Sequence, residues 1–135
     1  MIVIDTTDRI MGRVGAMVAK MLLSGENVVI VNADKAVITG DPKMTNQKFL
    51  QKRQRGDRKK GPFYPRYPAP IMRRAVRGML PIRKARGRTA YRRLKVFADQ
   101  PAEYKKAKKI GKALSEIECK FCYIKDVAKF LGAKV

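Results

Sequence analysis

Three groups of residues in this chain have types and spacings that bear on chemistry. Cys119-Lys-Phe-Cys122 has the i, i+3 spacing of half a zinc site or of a redox pair. Gly12-Arg-Val-Gly15, with Asp34 beyond the next apolar run, has the outline of a nucleotide-binding turn. The third group is a dense field of arginine and lysine in the middle of the chain.

The first two fall short of what their chemistry needs. Four-coordinate zinc requires two further Cys or His ligands, and the chain has two cysteines and no histidine. Two small, semi-buried side chains flanking a strand is the simpler account of the pair, so no metal or other cofactor is expected. A dinucleotide fingerprint needs glycine at position 10, where Ile10 stands. Gly12 and Gly15 then either let a helix pack closely on a sheet or let Arg13 offer its guanidinium and backbone to an RNA phosphate. The missing histidine also removes the commonest general base near neutral pH. Ser24 and Ser115 are the only serines, and neither sits in a Gly-x-Ser-x-Gly elbow. Catalysis and a small-molecule substrate are therefore not expected.

The basic field has chemistry of its own. The formal charge is +21, from 32 Lys and Arg against 11 Asp and Glu, and such self-repulsion calls for a polyanion. Residues 1–40 are neutral, with four side chains of each sign. Residues 41–99 hold nineteen Lys and Arg against Asp41, Asp57 and Asp99, a net +16. Many of the nineteen are arginines, whose planar guanidinium clamps phosphate bidentately and stacks on bases, whereas lysine acts as a hydrated point charge. From residue 100 onward there are nine lysines, four carboxylates and no arginine. A nucleic-acid surface in the central segment follows, and charge alone does not separate RNA from DNA.

Some element must hold that surface. Ile2-Val-Ile4 reads as a strand, and Val14, Met17, Val18, Met21 and Leu22 recur at helical spacing. Ser24-Gly25 is a stop, and Asn27-Val-Val-Ile-Val31 is a continuous apolar run typical of a buried parallel strand. Together these make a βαβ unit. Residues 36–39 form another short strand, and Asp41-Pro42 caps a helix that runs to Arg55 and stops at Gly56. Residues 57–70 contain four prolines and little periodicity, and are expected to be an extended arm. Its aromatics, Phe63, Tyr64 and Tyr67, either stack on unpaired RNA bases or pin the arm to its own domain. A short helix is expected over residues 71–79, with Arg73, Arg74 and Arg77 outward and Ile71, Ala75 and Met79 inward. Leu94-Lys-Val-Phe97 reads as the last sheet strand, followed by a lysine-rich helix at 102–109 and a second short helix carrying Ile124, Val127, Ala128 and Leu131.

At 135 residues this is one domain with a lysine-rich extension from residue 100. No apolar run approaches the roughly 20 residues of a spanning helix, so no membrane partner is expected. The first residues lack the pattern of a signal peptide, which makes a cytoplasmic address the expectation.

The order of motifs resembles a known family. Val76-Arg-Gly-Met-Leu-Pro81, Gly87-Arg88 and Leu94-Lys-Val-Phe-Ala-Asp99 follow one another at intervals of five residues. Asp5 with Gly12-Arg13, Val28-Val-Ile-Val-Asn32, Gly40, and Gly61-Pro62 with Arg66 and Pro68 complete the pattern over about residues 2–101. These are similar to the universal large-subunit ribosomal protein L-thirteen family. The length and the lysine-rich ending that closes on Phe130-Leu-Gly132 are most like its archaeal and eukaryotic branch. The cysteine pair is outside that pattern.

The resemblance implies a three-layer α/β/α domain around a small, mostly parallel sheet, without catalytic activity. It further implies a structural place in the large ribosomal subunit, on ribosomal RNA and beside neighbouring ribosomal proteins, with a part in assembly and translation. By position it assigns RNA contact to Lys52, Arg53, Arg55, Arg58, Lys59, Lys60, Arg66, Arg73, Arg74, Arg77, Arg83, Lys84, Arg86, Arg88, Arg92 and Arg93. The charge distribution points to the same segment.

Overall fold

The computed structural model describes residues 1–135. Strand β1 (Ile2–Asp5) leads through helix α1 (Met11–Leu23) to strand β2 (Val28–Val31), which lies parallel to β1 with Ile4 opposite Ile30. This is the expected βαβ unit. Gly25, at φ +99°, turns the chain out of α1 while Ser24, Gly25 and Glu26 return N–H groups to its last carbonyls. Strand β3 (Val37–Thr39) follows, then helix α2 (Pro42–Gln54), whose N-cap Asp41 accepts from Lys43 N–H at 3.2 Å.

Helices α3 (Pro68–Gly78) and α4 (Ala85–Arg92) precede strand β4 (Leu94–Val96). Two-residue β5 (Lys108–Lys109), β6 (Phe121–Tyr123) and helix α5 (Ile124–Phe130) complete the chain. The main sheet has the order β4-β2-β1-β5 and is parallel throughout, while β3 and β6 form a separate antiparallel pair. The domain is α/β, consistent with three α/β/α layers. Ile4, Val28 and Ile30 on one sheet face join Val14, Val18 and Leu22 of α1, Ile71, Met72 and Val76 of α3 and Ile124 of α5 in one core. Val29 and Val31, pointing the other way, are buried as well.

Four expectations need correction. Helix α3 begins at Pro68, not Ile71, so Pro68 and Pro70 belong to its first turn, where a missing N–H leaves no bond unmade. Its first return bond runs from Ile71 N to Tyr67 O at 3.1 Å. The inward residues are Ile71, Met72 and Val76, whereas Met79 is 42% exposed and lies over Gly15 of α1. Helix α4 was not expected at all. The lysine-rich helix at 102–109 is instead a single 3₁₀ turn, Ala102–Tyr104, followed by β5, because the open edge of β1 offers Lys108 and Lys109 a ladder that a solvated helix would not have.

The carboxyl end of β1 is fastened by Asp5. Its Oδ1 accepts from Thr7 Oγ1 at 2.6 Å, Asn32 Nδ2 at 2.9 Å and Thr7 N at 3.0 Å, and its Oδ2 lies 3.9 Å from Lys109 Nζ. Burial pushes the Asp5 pKa up, but these donors together outweigh it and hold the carboxyl below its ordinary value near 3.8. A depressed folded pKa means that the stabilisation is present above the unfolded value and is lost as pH falls through the folded one. Asp5→Asn is therefore expected to cost about 1 to 2 kcal/mol at pH 7 and less at pH 3, below the ordinary carboxyl value. Urea unfolding at both pH values checks this; an equal difference at both would remove the carboxylate from the account.

Candidate nucleic-acid interface

The arm does not project. Asp57 and Gly61 exchange both backbone bonds, at 3.2 and 2.9 Å, so residues 57–61 close a tight turn and the chain doubles back along α2 and α3. Gly56, at φ +96°, permits the reversal, and a side chain there would meet the Gly61 carbonyl at 2.3 Å. Arg53 Nη1 donates to Tyr64 O at 3.0 Å from α2, and Arg74 Nη1 donates to Phe63 O at 3.2 Å from α3. Tyr64 packs edge-on against Phe49 with 5.9 Å between centroids, and Lys52 and Arg74 sit 5.6 and 5.1 Å from its ring. Tyr64 is thus an anchor, while Phe63 and Tyr67 stay exposed.

Folded this way, the basic residues line three open grooves that adjoin one another. The first, about 420 Å³, lies between the end of α2 and the turn, with Arg53, Arg55, Arg58 and Phe63 in its walls. The second, about 560 Å³, is bounded by Phe63, Pro65, Arg73, Arg74, Arg77 and Tyr91. The third, also about 560 Å³, continues past Arg77 to Arg83 and Lys84. Pro62 and Phe63 are shared by the first two, and Arg77 by the last two. The result is a continuous cationic track from α2 across α3 to the start of α4.

None of these cations is ion-paired within the chain; its one ion pair joins Lys109 to Asp5. Several are held by rings instead. Arg73 lies 4.8 Å from the Tyr91 centroid, Arg66 lies 5.5 Å from Tyr67, and Lys52 lies 5.1 Å from Phe49. Lys52 is driven below its ordinary pKa first by burial and then by Lys48, Arg74 and Arg55 around it. Cations gathered this closely with no carboxylate paired to them gain from a polyanion.

The remaining expected contact residues fall at varying distances from the track. Lys59 and Lys60 are exposed at the tip of the turn, and Arg86, Arg88 and Arg92 are exposed on α4. Arg93, half-buried, reaches back toward Gly25 at the end of α1. Arg13 is exposed in the first turn of α1 beside Gly111 and lines none of the three grooves. Gly15 takes a packing role, but against the end of α3 and not against the sheet: a Cβ there would meet Met79 at 3.1 Å and Val76 at 3.8 Å, whereas Gly12 faces open space. Tyr91 was not singled out from the sequence, because a lone ring among arginines has no periodic signal of its own. Cys122 is buried in β6 and Cys119 is exposed.

The family model described as Ribosomal protein L13 matches residues 1–103. A protein of Archaeoglobus fulgidus named large ribosomal subunit protein uL13 is 46% identical over 135 residues, covering 96% of this chain and 86% of that one. Its namesake in Methanococcoides burtonii is 46% identical and covers 99% of both chains, and that of Thermoplasma volcanium is 41% identical over 96% of this chain. With a match across three quarters of its length and relatives this similar, the chain belongs to the ribosomal protein L13 family, a family of structural and not enzymatic proteins, and its nearly full-length relatives here are archaeal.

Proposed function

We propose that this chain is a structural constituent of the large ribosomal subunit that binds ribosomal RNA, holds converging RNA segments together and so supports subunit assembly and translation. The observation that carries this reading is the continuous track of unpaired arginines and lysines over α2, α3 and α4, mounted on an otherwise neutral βαβ core. Arg53, Arg55, Arg58, Arg73, Arg74, Arg77, Arg83 and Lys84 meet phosphates along the track, and Lys59, Lys60, Arg86, Arg88 and Arg92 extend the footprint on either side. Lys52 and Arg66 act through the rings they cover. Arg13 and Arg93 lie off the track and contact RNA only if a separate segment passes there. The names of the relatives support the choice of large-subunit RNA, and neighbouring ribosomal proteins are then the natural protein partners. The cytoplasmic ribosome is the corresponding location. No helix is long and apolar enough to cross a membrane.

The test is fractionation of the source cell's lysate on sucrose gradients at moderate and high salt, with this protein followed by mass spectrometry. Co-migration with the large subunit that survives moderate salt is the expected result. Recovery only in free or DNA-bound fractions would overturn the reading.

A further inference from the structure

The aromatic rings of the basic segment are almost all occupied. Phe49 and Tyr64 pack on each other under Lys52, Tyr64 also faces Arg74, Tyr67 faces Arg66, Tyr91 faces Arg73 and Phe97 packs on Tyr104. Phe63 alone has neither a cation nor a ring against it, and it is 68% exposed. Leaving a large apolar ring in water is ordinary on a mobile tip, but this ring is held. Its own carbonyl accepts from Arg74, the next carbonyl accepts from Arg53, and one ring edge lies so close to Gly61 that a Cβ there would meet it at 3.0 Å.

Position adds the second half. Phe63 stands in the wall between the first and second cationic grooves, so a sugar-phosphate backbone passing from one to the other crosses the ring. From these two facts we propose that Phe63 is a stacking platform for one unpaired nucleobase of the bound RNA. Arginines on both sides hold the flanking phosphates, while the ring receives the base that the strand presents between them. A base inside a duplex has both faces covered by its neighbours, so the ring selects single-stranded, bulged or splayed nucleotides. Stacking is tolerant of base identity because every base has a π-face. Cations without carboxylate partners on either side favour a polyanion over an apolar protein surface as the occupant.

This proposal rests on the RNA-binding reading and can fail without it. The chain has no tryptophan, so Phe63→Trp installs a single indole at the platform, excited selectively beyond the absorption of the five tyrosines. The probes are a single-stranded oligouridylate of about a dozen nucleotides and an abasic ribose-phosphate oligomer of the same length, spanning the site sizes such grooves take. The expected result is that oligouridylate quenches the Phe63→Trp emission and the abasic oligomer does not. Phe63→Ala should weaken oligouridylate binding about tenfold, leave abasic binding unchanged and melt like the parent. Salt-dependent binding of both oligomers without base-dependent quenching would overturn the platform and leave the RNA reading standing. Equal weakening of both by Phe63→Ala would show that the ring serves the turn, which also overturns it. A protein that binds neither oligomer at low salt would take the RNA reading down as well. Base-independent RNA binding, with the ring protected only in the assembled ribosome, would make Phe63 a protein contact instead.

Discussion

Replacing Gly87 with alanine is expected to destabilise the protein by about 3 kcal/mol, lowering the melting temperature by roughly 10 °C. Gly87 is buried on the inner side of α4, and a Cβ there would stand 2.1 Å from the Pro81 carbonyl oxygen and 2.4 Å from its carbon. These are backbone atoms, with no flexible side chain to swing aside. Either α4 lifts or the Pro81 turn, which α3 leads into, moves with it. Pro81 O already accepts from Lys84 N at 3.0 Å, so its place is fixed from both sides. Thermal melting and guanidinium titration of Gly87→Ala measure the effect, with Gly78→Ala as control, because a Cβ at Gly78 meets nothing within 4 Å. A melting point within a degree or two of the parent would mean that the close approach of α4 to the Pro81 turn does not constrain the fold. Arg77, Arg83 and Lys84 line the groove beside this junction, so the variant should also bind RNA less tightly before it melts.

Changing Arg73, Arg74 and Arg77 together to glutamine should weaken binding to large-subunit ribosomal RNA by about a hundredfold at moderate salt and reduce the slope of log affinity against log salt by about 2. Each phosphate contact releases condensed counterions, and the loss of three contacts is read in that slope independently of folding. The structure separates the three. The Arg77 side chain has no hydrogen bond, ion pair or ring contact within the chain, so Arg77→Gln alone is the purest test of phosphate contact. Arg73 also covers Tyr91, and Arg74 holds the Phe63 carbonyl and faces Tyr64. Losing those contacts costs about 0.5 to 1 kcal/mol each at exposed sites, partly offset by relief of the repulsion on Lys52. The triple variant should therefore melt within a few degrees of the parent. An unchanged salt slope would exclude this helix from the RNA contact.

Much of the frame was legible because it is local. The β1-α1-β2 unit follows from apolar spacing and the Ser24-Gly25 stop, and α2 from Asp41-Pro42 at one end and Gly56 at the other. Helix α4 escaped notice because its inner face is made of Gly87 and Ala90, small residues that carry no hydrophobic stripe and pack by closeness of approach. Strand β5 escaped because two lysines acquire strand geometry only from the edge of β1, a partner about a hundred residues away. Met79 was expected inside on helical spacing, but α3 ends at Gly78 and Met79 instead drapes over Gly15.

The candidate site divides in the same way. Its charge could be counted along the chain, so the segment was evident. Which cations share a groove depends on the turn at residues 57–61 folding back between α2 and α3, and on two arginine-to-carbonyl bonds that no spacing encodes. The same two bonds separate Tyr64, which anchors, from its neighbour Phe63, which faces out.

The edges of the main sheet have a consequence before any RNA is bound. An open parallel sheet invites the same strand of another copy to add to it, and a long flat edge is the template for such growth. Here one outer strand is only Lys108–Lys109 and the other only Leu94–Val96, so neither offers more than a few ladder bonds. Two ammonium groups on the first edge repel an identical edge approaching it. Edge-to-edge growth into fibre-like polymers is therefore disfavoured by the shape and charge of the sheet itself.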